Sequence, residues 1–194
     1  MSKFLVCLSR EEANRPNPNF RMAQQSDVEH VLSLYQRAKN DKFCVWNDSY
    51  PSIAEIEHDL ETKNLYVMTD GSKVIGAISV VPENELDSFD CWSCKDGKEI
   101  ARVVIDKAYQ GHGLSFEMVQ KVASILRRNG WKAIHLSVVK TNIPAYKTYI
   151  KAGFTVVGEA EMYGNNYYLM EKAIDTTSLP KRITEESVVC LEKK

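Results

Sequence analysis

The chain has 194 residues, 44% hydrophobic and 26% charged, a length that allows one sizeable core and is short for two. Lys+Arg number 25 against Asp+Glu 26, for a net charge of -1, so the basic excess of a dedicated nucleic-acid binder is missing. No apolar run approaches membrane-spanning length, and Phe4-Leu-Val-Cys-Leu8 is too short for a signal-peptide core.

In chain order, Phe4–Leu8 reads as an extra strand, and the Asn and Pro residues between Asn14 and Asn19 as loop. Phe20–Gln24 reads as a short strand. Ser26-Asp27 then offers an N-cap to a helix carrying Val28, Val31, Leu32, Leu34 and Tyr35 at helical spacing. After the aromatic-rich, turn-rich segment from Phe43 to Pro51, a second helix starts at Ser52. Glu55 completes its capping box, and Ile53, Ile56 and Leu60 are predicted to face inward. Leu65–Met68 and Val74–Val81 read as two strands joined at Asp70-Gly71, and the polar, acidic run from Pro82 to Lys98 as an exposed connection.

The stretch Glu99–Ser115 organises the rest. Its β-branched run Val103-Val-Ile105 suits a buried strand, which Asp106 and Lys107 end. A turn at Gln110-Gly-His-Gly113 leads into a helix with Leu114, Met118, Val119, Val122, Ile125 and Leu126 on one face. Arg127 and Arg128 suit its last turn, and Asn129-Gly130 its stop. A strand, a glycine turn and a helix start make an anion cradle. The first helical amides lack partners, and glycine lets the backbone approach a phosphate. No Lys-Ser or Lys-Thr follows the glycines, which excludes the Walker-type loop, the spacing fails the dinucleotide fingerprint, and Glu117 stands where a hydrolase elbow needs glycine.

Ala133–Val139 reads as another buried strand. Asn142–Gly153 follows as a short helix with Pro144 in its first turn, then strands Phe154–Glu161 and Tyr167–Lys172 joined at Gly164-Asn165-Asn166. Beyond Thr176 the composition is tail-like, with Val188-Val-Cys-Leu191 left open as a segment that packs back or forms a homodimer. The order of elements is mixed α/β with a largely antiparallel sheet and one strand-helix-strand unit.

Gln110-Gly-His-Gly113-Leu-Ser115 resembles the signature of the GNAT superfamily of N-acetyltransferases, Gln/Arg-x-x-Gly-x-Gly/Ala. Ser115 departs from its last position, though serine is small enough to leave room for a diphosphate. Asn142-x-x-Ala145-x-x-x-Tyr149-x-x-x-Gly153-Phe154 matches the family's other hallmark, and the opening from Phe20 looks like the start of such a domain. The resemblance runs from Phe20 to Lys172. It divides the chain into an extension (1–19), an acetyltransferase domain (20–175) and a tail (176–194).

The resemblance implies helices flanking a mostly antiparallel sheet in which two parallel strands splay around the pantetheine arm of acetyl-CoA, with no metal. Carried over by position, Val103, Val104, Ile105, Gln110, Gly111, His112, Gly113, Leu114, Ser115 and Asn142 become cofactor contacts, and the Val103 amide polarises the thioester carbonyl. Donors of that kind are worth ~3 kcal/mol. Tyr149 becomes the general acid for the departing thiolate, a task that suits a phenol because its pKa lies above that of a thiol. Glu99 stands eleven residues before Gln110, where some lysine-acetylating members keep a general base acting through water. Among Ile100, Val103 and Val104 its pKa is expected to be raised. Phe43, Trp46 and Tyr50 correspond to a segment that borders the acceptor pocket.

Plainer readings stay beside these. Tyr149, Phe43, Trp46 and Tyr50 also suit a core, Glu99 a solvated strand end, and Gln110 and His112 an exposed turn whose backbone alone meets phosphate. Cys91-Trp-Ser-Cys94 has metal or redox spacing without a second pair, whereas zinc takes four ligands. Five cysteines, an odd count, read as free thiols of a reducing cytoplasm. The expected activity is N-acetylation by direct attack of a primary amine, that of a small molecule, on acetyl-CoA. Acetylation of a protein lysine or N-terminus, or a non-catalytic acyl-CoA sensor on the same fold, stays open.

Overall fold

A computed structural model describes residues 18–81 and 85–174. The N-terminal strand expected at Phe4–Leu8 and the tail segment at Val188–Leu191 lie outside the described residues. In chain order the elements are β1 (Asn19–Met22), α1 (Val28–Ala38), α2 (Ile53–Glu61), β2 (Leu65–Asp70), β3 (Lys73–Val80), β4 (Gly97–Ile105), α3 (Leu114–Arg128), β5 (Ala133–Val139), α4 (Ile143–Lys151), β6 (Thr155–Met162) and β7 (Asn165–Ala173). They form one mixed sheet of seven strands in the order β1-β2-β3-β4-β5-β7-β6. Every neighbouring pair is antiparallel except β4 and β5. The strand-helix-strand unit β4-α3-β5 supplies that exception, because parallel neighbours need a crossover.

Strand alternation sends side chains to two faces. Met68, Ile75, Ile78, Ile134, Leu136 and Met170 pack with Met118, Val119 and Val122 of α3 and with Tyr149 of α4. On the opposite face Leu65, Val67, Val74 and Ala77 pack with Val31, Leu34 and Tyr35 of α1 and Ile56 of α2. The helical spacings of α1 and α3 thus bury the stripes they predict.

Local chemistry explains the helix starts. The Ser52 hydroxyl accepts from the Ala54 amide, and the Glu55 carboxylate accepts from the Ser52 amide at 2.7 Å, the capping box read in the sequence. Asn142 caps α4 by accepting from the Ala145 amide at 3.1 Å, and Gly153 ends it at φ +91°, a left-handed value that favours glycine.

Four expectations need correction. α1 is preceded by a short 3-10 turn at Gln25–Asp27; Asp27 does hold the N-cap position of α1, but its side chain makes no capping bond there. Asp27 folds back to accept from the Gln24 amide and from Arg21. Ile53 is 40% exposed, while Ile56 one turn on is fully buried, so the inward face of α2 begins at Ile56. The β6–β7 hairpin turns at Tyr163-Gly164, both at positive φ, and Asn165 already pairs with Met162. The connection before β4 is not simply exposed. Leu86 and Trp92 are buried against Leu169, covering the part of the sheet that α1 and α2 do not reach.

Among the described residues no helix is long and apolar enough to cross a membrane. No group of three or more His, Cys, Asp or Glu residues among them is placed to hold a metal ion.

Candidate active site

The parallel pair is short. β4 and β5 are in register only at Gly97–Ala133, Lys98–Ile134 and Glu99–His135. Beyond that point β4 stays with β3 as far as Ile105, and β5 stays with β7 as far as Val139. The strands part because each follows its other neighbour. A cleft of about 1460 Å³ lies there, lined by Ile100–Ile105 of β4, Ser137–Val139 of β5, and Asn142 and Tyr149.

A bulge in β4 shapes one wall. Ala77 pairs with Val104 but Ser79 pairs with Ala101, leaving Arg102 and Val103 without register partners on β3. Arg102 takes φ +53°, an uncommon value for a non-glycine residue. Its guanidinium is held by the buried Asp59 of α2, with Nη2 at 2.9 Å from Oδ1 and Nε at 3.1 Å from Oδ2. Ser79 also donates to Asp59, and Arg102 Nη1 donates to the Tyr50 hydroxyl at 3.1 Å. This contact fixes Tyr50 as part of the cleft wall. Trp46 and Phe43 line the same cleft, and Trp46 meets Tyr35 edge-on at 5.2 Å.

At the start of α3, Gly111 and Gly113 have φ +83° and +79°, and a Cβ at either would meet nothing within 4 Å. The turn from Gly111 to Gly113 is exposed, and the first amides of α3 that follow it have no partner within the helix. Gly111, Gly113, Leu114 and Ser115 line the cleft; His112 is exposed and lies outside its lining. The Gln110 side chain donates to the Ile105 carbonyl at 3.2 Å, tying the turn to the end of β4.

Tyr149 is 8% exposed and packs edge-on against Phe154. Its hydroxyl makes no hydrogen bond among the described residues. Burial pushes its pKa up to about 12, so the phenol keeps its proton at neutral pH. Glu99 lines the cleft while only 7% exposed. Burial pushes its carboxyl up to about 7, against the pull of the Leu86 amide, which donates to Oε2 at 3.2 Å. Asn142 spends its side-chain carbonyl on the α4 cap, and its amide nitrogen is the group left for the cleft.

The residues match the model of the Acetyltransferase (GNAT) family over positions 31–154, which covers both walls of the cleft. The chain belongs to the GNAT acetyltransferase family. Among curated proteins it is 22% identical, over 74% of its own length and 84% of the relative's, to an L-methionine sulfoximine/L-methionine sulfone acetyltransferase of Salmonella typhimurium. Its fold is shared by an acetyltransferase from the same species solved with its cofactor acetyl-CoA (TM-score 0.68, 20% identity, 86% of this chain and 99% of the other). It is also shared by the ribosomal-protein-S18-alanine N-acetyltransferase of Escherichia coli (TM-score 0.65, 15% identity, 86% and 98%). At these identities the solved structures speak for the fold alone.

Some features of this GNAT cleft escape the sequence reading. The Asp59–Arg102–Tyr50 network escapes it, although its signal is present: a carboxylate at an inward position of α2, between Ile56 and Leu60, and a cation inside an apolar strand. Leu86 and Glu85, Tyr163 and Tyr167 also line the cleft; they lie on a connection and a hairpin whose placement depends on the sheet.

Proposed function

We propose that this protein is an acetyl-CoA-dependent N-acetyltransferase acting on the primary amine of a small molecule. The observation that carries the reading is the parting of β4 and β5 just beyond Glu99–His135, which leaves two strand edges facing a cleft. Unpaired edges offer donors and acceptors to the amides of a pantetheine arm. The open amides at the start of α3, with no side chain over Gly111 or Gly113, suit the diphosphate. Acetyl-CoA supplies the activated acetyl group.

The chain's own residues then have distinct tasks. Glu99, ionised, takes a proton from the ammonium through water, and the free amine attacks the thioester carbonyl. The Val103 amide, at the bulge, faces the oxygen on which negative charge develops. Tyr149 gives its proton to the departing sulfur, and the proton that the attacking nitrogen sheds as the C–N bond forms restores the phenol through solvent, so that an amide and a thiol result. Phe43, Trp46 and Tyr50 form the acceptor wall. The carboxylates of Glu55 and Glu85 line the cleft while the Arg102 charge is matched by Asp59, which favours a cationic amine. The free Cys44, Cys91 and Cys94 suit a reducing compartment such as the cytoplasm.

Calorimetric titration with acetyl-CoA, followed by thiol release against a panel of amino acids, polyamines and peptides with free amino groups, tests this reading. Micromolar binding and turnover of a small amine are expected. No binding at high micromolar acetyl-CoA overturns it, and turnover confined to peptides overturns the acceptor.

A further inference from the structure

The connection before β4 is pinned to the sheet by a chain of contacts that ends on Glu99. The buried Trp92 lies flat on the ring of His135, with centroids 4.1 Å apart and planes within 15°. Its indole nitrogen donates to the Leu86 carbonyl at 2.8 Å, and the Leu86 amide donates to Glu99 Oε2 at 3.2 Å. Beneath the indole, His135 Nε2 lies 3.2 Å from Glu171 Oε2, which also accepts from the Cys94 amide at 3.1 Å. Glu99, His135 and Glu171 form one row in register across β4, β5 and β7. Room for the imidazole comes from Gly97, where a Cβ would collide with the ring.

A histidine here is costly. It is 1% exposed, and its Nδ1 has no hydrogen-bond partner among the described residues, a loss that a phenylalanine of similar shape would avoid. What phenylalanine lacks is the Nε2–H that Glu171 accepts. That contact fixes the ring in its plane, and the ring is the floor on which Trp92 sits.

We propose that His135, held by Glu171, is a positioning residue for Glu99: it seats Trp92, and the Trp92–Leu86 bond in turn aims an amide at the carboxylate. The inference rests on the reading of Glu99 as the general base. A backbone N–H donated to a carboxylate favours the ionised form, so loosening Leu86 weakens Glu99 as an acid. Other charged groups that act on Glu99 include Glu85 and Asp87 of the connection and Lys98 and Arg102 of β4; those that act on His135 include Glu171 and Asp87. None of these is altered by changing Trp92.

The test uses the full chain with 13C-labelled glutamate, the Glu99 signal assigned by its loss in Glu99→Gln. Trp92→Phe keeps an aromatic ring on His135 but removes the indole donor; His135→Phe keeps a flat ring but removes the bond to Glu171. Both should raise the Glu99 titration midpoint, weakening the acid about three- to tenfold, the worth of one such hydrogen bond. The acid limb of kcat/KM should move with it. A His135→Gln variant, which retains a donor for Glu171, should restore part of the shift. Titration of Glu99 unmoved in Trp92→Phe, with the protein folded by circular dichroism, overturns the proposal even if the enzyme turns over. A shifted titration in a protein that acetylates no amine supports the positioning and sinks the catalytic reading instead.

Discussion

Glu99 on β4 and His135 on β5 are the last in-register pair of the parallel strands. One side of that pair is closed sheet covered by the Leu86–Trp92 connection; the other is the cleft. Glu99 therefore sits where a dry environment meets the space in which a substrate must lie. Burial at this position is the first cause of its raised pKa, and the like charges of Glu85 and Asp87 add to it.

Replacing Tyr149 with phenylalanine should lower kcat by about 100-fold or more, the usual worth of a positioned acid. The hydroxyl bonds nothing among the described residues, so the denaturation midpoint and acetyl-CoA affinity should hold. Thiol-release rates and calorimetry check both halves. An unchanged rate removes Tyr149 from the chemistry.

The pH dependence has a definite sign. Glu99 is a base only when ionised, so kcat/KM should rise with pH and level off above about 7. Stability runs the other way. A carboxyl raised from an unfolded value of about 4.3 contributes fully below that pH, and the contribution is lost as pH rises through about 7. Glu99→Gln should lose most activity at pH 8 yet be at least as stable there as wild type.

Gly113→Ala separates strain from obstruction. At φ +79° an alanine is strained by roughly 1 kcal/mol, and its methyl meets no protein atom within 4 Å. A midpoint shift matching that small cost, together with acetyl-CoA binding weakened by about tenfold or more, would report a ligand packed on the turn. Equal affinity for wild type and variant would place the diphosphate elsewhere.

Asp59→Ala leaves the Arg102 guanidinium, only 9% exposed, without its carboxylate. Breaking such a buried pair costs about 3–5 kcal/mol, readable as a lower denaturant midpoint. Because Arg102 also holds Tyr50, the KM for the amine should rise in the same variant. A KM unaltered in the folded fraction would detach Tyr50 from acceptor binding.

What the sequence determined by itself is local. Helical spacing set the buried stripes of α1 and α3, Ser52–Glu55 and Asn142 set helix starts, and the glycines before Leu114 set an open turn. These depend on residues a few positions apart, where backbone sterics and hydrogen-bond reach decide the outcome. The two spaced patterns around Gln110 and Tyr149 also identified the family.

Only the tertiary structure decided where the strands part, where β4 bulges, and what lies against Glu99. Arg102 finds Asp59 across 43 positions and His135 finds Glu171 across 36. Such partners are chosen by sheet order and register, which no short spacing encodes. The acidic connection misled for the same reason: its composition suits solvent, but Leu86 and Trp92 are claimed by a bare patch of sheet that exists only once seven strands have assembled.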